Sequence, residues 1–261
     1  DCANGRYDPP GGGRRSWGLD TMAWAKFQTA LRVIYPARCL NCGVIVESEY
    51  GLCGPCWRDT AFIGGLCCDA CGAPLPGEAG AELDLCDECL RLPRPWSRGR
   101  AALLYQDNGR KLVLALKHGD RHDIARPAAR WMQAAARPIR PADMLIAPVP
   151  LHWLRLVQRR FNQSALLAER FTQLTNLDYC PDLLQRKKPT RSTKGQGLEQ
   201  RFAIMQSAFR VHPRRVHLMS GRHILLIDDV MTTGATLSAL TDACLAAGAA
   251  QVSVLLLARV A

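Results

Sequence analysis

Residues 224–236 read "ILLIDDVMTTGAT". Four apolar residues without alternation are the pattern of a strand covered on both faces of a parallel sheet. They run into two adjacent carboxylates, Asp228 and Asp229, and then through Thr232, Thr233 and Gly234 toward a helix. In an open parallel sheet ligands bind beyond the carboxyl ends of the strands. A helix N-terminus there offers unpaired N–H groups and the positive end of the helix dipole, which together suit a phosphate. Thr232, Thr233 and Thr236 add hydroxyl donors, and Gly234 lets the backbone approach closely. Two carboxylates beside a phosphate seat repel a second phosphate, so they are expected to accept hydrogen bonds from a vicinal diol. The ligand class that fits is a sugar phosphate. A solvated Asp pair at a strand end is the plainer alternative, and it leaves the threonines without a role.

Outward from this stretch, the chain from Arg100 alternates short apolar runs with amphipathic ones. Strands are expected over 100–106, 143–151, 223–230 and 251–259. Helices are expected over 108–119, 123–137, 162–174 and 236–248. Asn108 and Asp123 are candidate N-caps, and Gly119 and Gly248 lie at helix ends. Strand–helix–strand order implies an α/β domain with a parallel sheet and right-handed crossovers. Residues 186–201, "RKKPTRSTKGQGLEQR", are basic and lack apolar periodicity, the pattern of a mobile loop.

The front of the chain is different in kind. Of 12 cysteines, nine lie between Cys39 and Cys89, and eight of these form four CxxC pairs: Cys39–Cys42, Cys53–Cys56, Cys68–Cys71 and Cys86–Cys89. Each pair can aim two thiolates at one cation, and Zn²⁺ takes four in a tetrahedron. Gly43 and Gly72 follow two of the pairs, where the chain must turn back. Sequential pairing gives one site from the first two pairs and one from the last two. A cross-braced pairing fits the spacing as well, and redox pairs or disulfides are the alternative chemistry. A closed all-Cys site is structural, standing in for an apolar core that residues 39–90 lack. Cys67 is an extra thiol with no ligand role.

The 261 residues suffice for two domains, and 48% hydrophobic with 22% charged residues is ordinary globular composition. Residues 1–100 hold 11 Lys and Arg against 12 Asp and Glu, whereas residues 101–261 hold 23 against 11. The basic excess of the second part attracts polyanions, or is a plain solvated surface. No apolar run reaches the ~18 residues of a membrane span. No apolar signal core precedes the cysteines, which favours a cytoplasmic protein. Residues 1–21 are expected to be a disordered extension, 22–95 a double zinc ribbon and 96–261 the α/β domain, with "LPRPW" (92–96) a stiff linker.

The Asp228-Asp229 pair and the Thr232-Thr233-Gly234-Ala235-Thr236 loop resemble the 5-phosphoribosyl-1-diphosphate (PRPP) motif of type I phosphoribosyltransferases. From about residue 30 onward the chain also resembles the ComF family in the order of its motifs. These are a Cys-rich module, Leu116-Lys117-His118-Gly119-Asp120, the Pro148–Leu151 "PVPL" segment, the Arg159–Gln163 block and then the PRPP motif. Two departures stand out: Arg160 replaces the usual Gly, and Ile204 stands where Asn is common. The resemblance implies a type I phosphoribosyltransferase fold behind a double zinc ribbon. It implies that pyrophosphate at C1 of PRPP is displaced, with Mg²⁺ bound to the diphosphate. Asp228 and Asp229 would hold the ribose, and Met231, Thr232, Thr233, Gly234, Ala235 and Thr236 the 5-phosphate. Pro150 and Leu151, with His152, would form the pyrophosphate loop, and Lys117, Arg159 and Arg160 would offset diphosphate charge. The basic loop with Lys187, Lys188, Arg191 and Lys194 would close over the ligand. Plainer roles compete: Lys117 as a helix C-terminal charge, Asn162 as an N-cap, His118 and His152 as surface residues, and Trp57, Trp96, Trp131 and Trp153 as packing groups.

Two function classes follow. One is a phosphoribosyltransferase acting on an unidentified acceptor. The other is a single-stranded DNA-handling protein of DNA uptake or repair, partnered with uptake or recombination proteins, in which PRPP is regulatory or vestigial.

Overall fold

The computed structural model describes residues 36–47, 51–80, 83–118, 121–139, 143–151, 161–186 and 208–260. The expectations for residues 1–21, Gly119, Asp120, His152, Trp153, Arg159, Arg160, Ile204 and the basic loop beyond Arg186 lie outside these residues. The chain forms two compact units, Asp1–Asp59 and Thr60–Ala261.

In the smaller unit, Gly43 takes a φ of 78°, a conformation that side chains disfavour. The turn it makes lets the Gly43 N–H donate to the Cys39 carbonyl at 2.9 Å and the Cys39 N–H to the Val44 carbonyl at 2.7 Å. Helix α1 (Gly54–Arg58) then starts on Cys53 as N-cap, with a proline in its first turn, and carries Cys56.

The larger unit opens with the same device. Gly72 N–H donates to the Cys68 carbonyl at 2.8 Å, Cys68 N–H donates to the Ala73 carbonyl at 2.7 Å, and α2 (Asp87–Arg91) starts on Cys86. This second ribbon is built into the α/β core. Trp96 Nε1 donates to the Ala70 carbonyl at 2.5 Å, and Gly99 N–H to the Asp69 carbonyl at 2.8 Å. Asp69 accepts from Arg100 Nη2 at 2.5 Å and from Arg98 Nη1 at 2.7 Å. Burial would raise the Asp69 pKa, but these guanidinium groups bring it below the usual carboxylate value. A Cβ on Gly99 would stand 2.3 Å from the Ala70 carbonyl oxygen, so only glycine allows this approach. Cys68, Cys71 and Cys89 share one core with Trp96, Ala101, Leu226 and Leu256. The stiff-linker expectation for 92–96 is therefore corrected, because Trp96 is 3% exposed and anchors the segment. The second ribbon lies in the larger unit.

The sheet has five parallel strands: β1 (Arg98–Leu104), β2 (Leu145–Pro148), β3 (Asp178–Tyr179), β6 (His223–Met231) and β7 (Gln251–Arg259). Their order is β1-β7-β6-β2-β3. A small antiparallel pair, β4 (Leu184–Arg186) and β5 (Phe209–Val211), stands apart. The sequence reading missed β3 and this pair, which are only two or three residues long. Ile224 to Ile227 are all buried, as an inner strand covered on both faces requires. Among the described residues the remaining α-helices are α3 (Asp107–His118), α4 (Ala125–Ala135), α5 (Gln163–Thr175), α6 (Val216–Met219) and α7 (Ala235–Ala246). Asn108 lies inside the first turn of α3 rather than capping it, and Asp123 lies in a 3₁₀ turn before α4. The predicted α/β fold with a parallel sheet and Cys-rich ribbons is the fold observed.

Candidate functional site

The chain leaves β2 through α5 toward β3 on one side, and leaves β6 through α7 toward β7 on the other. Right-handed crossovers in opposite directions put α5 and α7 on opposite faces. The carboxyl ends of β2 and β6 thus flank a switch point, where such sheets open a crevice. The last β2–β6 pair is Pro148 with Ile227, extended by Val149 N–H to the Ile227 carbonyl at 2.9 Å. Beyond Ile227, β6 pairs with β7 alone, up to Met231 opposite Arg259. Asp228 and Asp229 therefore lie within the carboxyl-terminal part of the strand, as the sequence suggested. They stand inside β6, where its β2 side becomes free.

Successive strand residues point to opposite faces, and the two acids accordingly have different partners. Asp228 Oδ1 accepts from Ser164 Oγ at 2.8 Å and from the Asp229 N–H at 2.9 Å. Asp229, 8% exposed, pairs with Lys117 Nζ at 3.1 Å. Burial, followed by the Asp229 charge, pushes the Asp228 pKa up to about 7, against the pull of Ser164, the Asp229 N–H and Lys117. The site thus holds one carboxylate neutralised by an ammonium and another poised near neutrality.

Ser164 escaped the sequence reading. It sits at the start of α5, where Asn162 Oδ1 caps its N–H at 3.1 Å. Asn162 Nδ2 also donates to the Val149 carbonyl at 3.1 Å, fixing the chain just before Pro150 and Leu151. The expected N-cap role of Asn162 is therefore observed, and it ties the β2 end to α5. The available signal was the Asn-x-Ser order ahead of a helical run.

The 232–236 loop joins β6 to α7. Gly234 is the N-cap of α7 with φ 80°. A Cβ there would stand 3.1 Å from Arg94 Nη1, 3.1 Å from the Trp96 ring and 3.3 Å from Met231 Sδ. Met231 is buried beneath the loop, while Thr232 is exposed and Thr233, Ala235 and Thr236 are half-buried. The Thr233 hydroxyl accepts from the Ala235 N–H at 3.5 Å. Arg94 Nη1 donates to the Thr233 carbonyl at 2.7 Å and Arg259 Nη1 to the Thr232 carbonyl at 2.9 Å. Neither arginine was singled out in the sequence, since no local pattern links them to the loop.

The cysteines form two four-sulfur groups, Cys39/Cys42/Cys53/Cys56 and Cys68/Cys71/Cys86/Cys89, with the sulfurs of each group within 4.8 Å of one another. The pairing is sequential, not cross-braced, and Cys67 belongs to neither group. In each, one thiol ionises easily and another resists. Burial would raise Cys39, but the N–H groups of Cys42, Cys53 and Asn41 bring it down to about 6, while Cys56 is pushed up to about 12. The hydrogen bond from Cys71 lowers Cys68 to about 4, and Cys71 itself is raised, chiefly by Cys68. Four sulfurs this close repel as thiolates unless a cation lies among them. The donor set fits a structural Zn²⁺ in each group.

Comparison with known proteins agrees. Residues 30–90 match the double zinc ribbon domain. Over 230 residues the chain is 30% identical to the DNA utilization protein YhgH of Salmonella typhi and 29% to that of Escherichia coli K12, covering 86% of this chain and 97% of each relative. It is 26% identical over 232 residues to Competence protein F of Haemophilus influenzae Rd, covering 85% of this chain and 96% of that protein. Among the described residues no helix is long and apolar enough to cross a membrane. With the parallel sheet, the two Cys₄ ribbons and this likeness over 86% of the chain in hand, the chain belongs to the ComF family of competence and DNA-utilization proteins.

Proposed function

We propose that the chain binds PRPP and acts as a phosphoribosyltransferase, displacing pyrophosphate from C1 in favour of an acceptor nucleophile. The observation that carries this reading is the juxtaposition at the β2/β6 switch point. Asp228 and Asp229 adjoin a glycine loop whose Thr233 and Gly234 N–H groups have no partner among the described residues. The loop and the N-terminus of α7 take the 5-phosphate. Asp228 and Asp229 accept from the ribose hydroxyls, with Ser164 and Lys117 holding each in place. The segment from Pro150 to Leu151 supplies backbone to the pyrophosphate. Arg159, Arg160 and the Lys187–Lys194 segment add positive charge for the leaving group. Mg²⁺ held with the diphosphate beside Asp228 and Asp229 would offset the charge of the leaving group. The chain's own contribution is positioning and charge compensation. Calorimetry with PRPP, ribose 5-phosphate and pyrophosphate tests the binding, and pyrophosphate release with candidate bases tests turnover. Absence of PRPP binding overturns the proposal.

A second reading has support of its own. The relatives are named for DNA utilization and competence, and residues 101–261 carry the basic excess. In this reading the protein handles single-stranded DNA and PRPP is regulatory. A steep loss of DNA affinity with salt is expected if phosphates are contacted, and no pyrophosphate release. A cytoplasmic setting, where Cys₄ sites stay reduced, suits both readings.

A further inference from the structure

Two buried arginines grip the loop from behind. Arg94 and Arg259, 1% and 4% exposed, donate to the carbonyls of Thr233 and Thr232. Their other Nη atoms hold the two oxygens of one carboxylate: Arg94 Nη2 to Glu88 Oε1 at 2.8 Å, and Arg259 Nη2 to Glu88 Oε2 at 2.6 Å. Glu88 lies on α2 between Cys86 and Cys89, and Arg94 Nε donates to Cys89 Sγ at 3.5 Å. A continuous set of polar contacts therefore runs from the second Cys₄ group to the loop.

The geometry of the peptide gives these contacts a consequence. In a planar trans peptide the N–H points opposite to the C=O. Fixing the Thr232 and Thr233 carbonyls toward the arginines aims the N–H groups of Thr233 and Gly234 the other way. Neither N–H donates to another described residue. The helix that carries Glu88 has only five residues, too few to persist alone. Its place depends on what holds Cys86 at its start and Cys89 within it.

We propose that metal in the Cys68/Cys71/Cys86/Cys89 group organises the anion loop through Glu88, Arg94 and Arg259, so that metal occupancy and binding of a 5-phosphorylated sugar are thermodynamically linked. Arg94, Arg259 and Glu88 are positioning residues: they orient the loop amides and do not touch the ligand. This rests on reading 232–236 as the phosphate seat. The linkage is reciprocal, so a bound sugar phosphate raises the affinity of the second group for its metal. The Cys39/Cys42/Cys53/Cys56 group belongs to the smaller unit and serves as an internal control.

The test uses the full zinc-loaded chain, with ribose 5-phosphate as probe. Arg94→Gln is expected to keep two zinc ions per chain and lose roughly tenfold or more in affinity, the equivalent of one charge-assisted hydrogen bond. Arg94→Lys, which can serve only some of the three acceptors, is expected to fall between. Hydrogen exchange over 231–236 is expected to quicken in both variants without ligand, while exchange in α4 and α5 stays at parent rates. In the parent, ribose 5-phosphate shifts the zinc–chelator equilibrium toward retention at one of the two groups, and this shift is absent in Arg94→Gln. If Arg94→Gln does not fold, Glu88→Gln, whose side chain is half-exposed, carries the same measurements. Parent-like loop exchange and affinity in the variants overturn the proposal. If the parent itself binds no ribose 5-phosphate, the phosphate-seat reading has failed. Loop exchange then decides the relay alone, and parent-like rates in both Arg94→Gln and Glu88→Gln sink it.

Discussion

Lys117 Nζ and Asp229 Oδ1 stand 3.1 Å apart, joining the last turn of α3 to the open edge of β6. One of the two adjacent acids is thereby neutralised, and the other is left to respond to pH. Asp228 is held up by burial and by the remaining Asp229 charge.

The first prediction follows from that asymmetry. With a folded pKa of about 7 against an ordinary 3.8, Asp228 binds its proton more tightly in the folded state. The associated stability is full below pH ~4 and is lost as pH rises through about 7, a change on the order of 2–4 kcal/mol. Asp228→Asn should abolish this part of the pH dependence and match or exceed parent stability at pH 8. Thermal melts between pH 5 and 8 read the outcome directly, and parallel slopes for parent and variant would contradict it. PRPP affinity in the parent should rise over the same interval, since a diol needs the ionised acceptor.

Ligand series separate the acids from the loop. Asp228→Asn with Asp229→Asn should weaken PRPP by ~1–3 kcal/mol per lost charged hydrogen bond. Thr233→Ala should weaken ribose 5-phosphate and PRPP together, because both carry the 5-phosphate. Calorimetry showing parent-like PRPP binding in the double Asp variant would remove these acids from the ribose clamp.

Gly234→Ala forces a side chain into a left-handed conformation already crowded by Arg94, Trp96 and Met231. A cost of about 1–2 kcal/mol in stability is expected from the backbone alone, with loss of ribose 5-phosphate affinity as the loop shifts. Denaturant unfolding and calorimetry on the same sample check both parts.

The two ribbons should fail differently. Cys39→Ser should release one zinc ion and leave the melting of the larger unit unchanged. Cys68→Ser removes a sulfur from the core shared with Trp96 and Leu226. It should cost the larger unit at least about 2 kcal/mol, as disruption of a buried site does. Zinc content together with hydrogen exchange distinguishes the two variants, and equal destabilisation of the sheet by both would be the contrary result.

The sequence by itself determined the elements whose information is local. The apolar runs at 224–227 and 254–258 announce buried strands, and the observed β7 has the bounds read from the pattern. The CxxC spacing announces the thiols of the two four-sulfur groups, and the Asp-Asp and Thr-Thr-Gly order marks the candidate site. What the tertiary structure alone decided are contacts between distant positions. Ser164 reaches Asp228 across 64 residues, Arg94 reaches Thr233 across 139, and Arg259 reaches Glu88 across 171. The structure also made the ribbon pairing sequential and placed Trp96 of "LPRPW" in the core. Periodicity and turn chemistry report which face of an element is buried and where the chain can turn. They carry no record of which strands become neighbours, and it is the strand order that sets which charges meet.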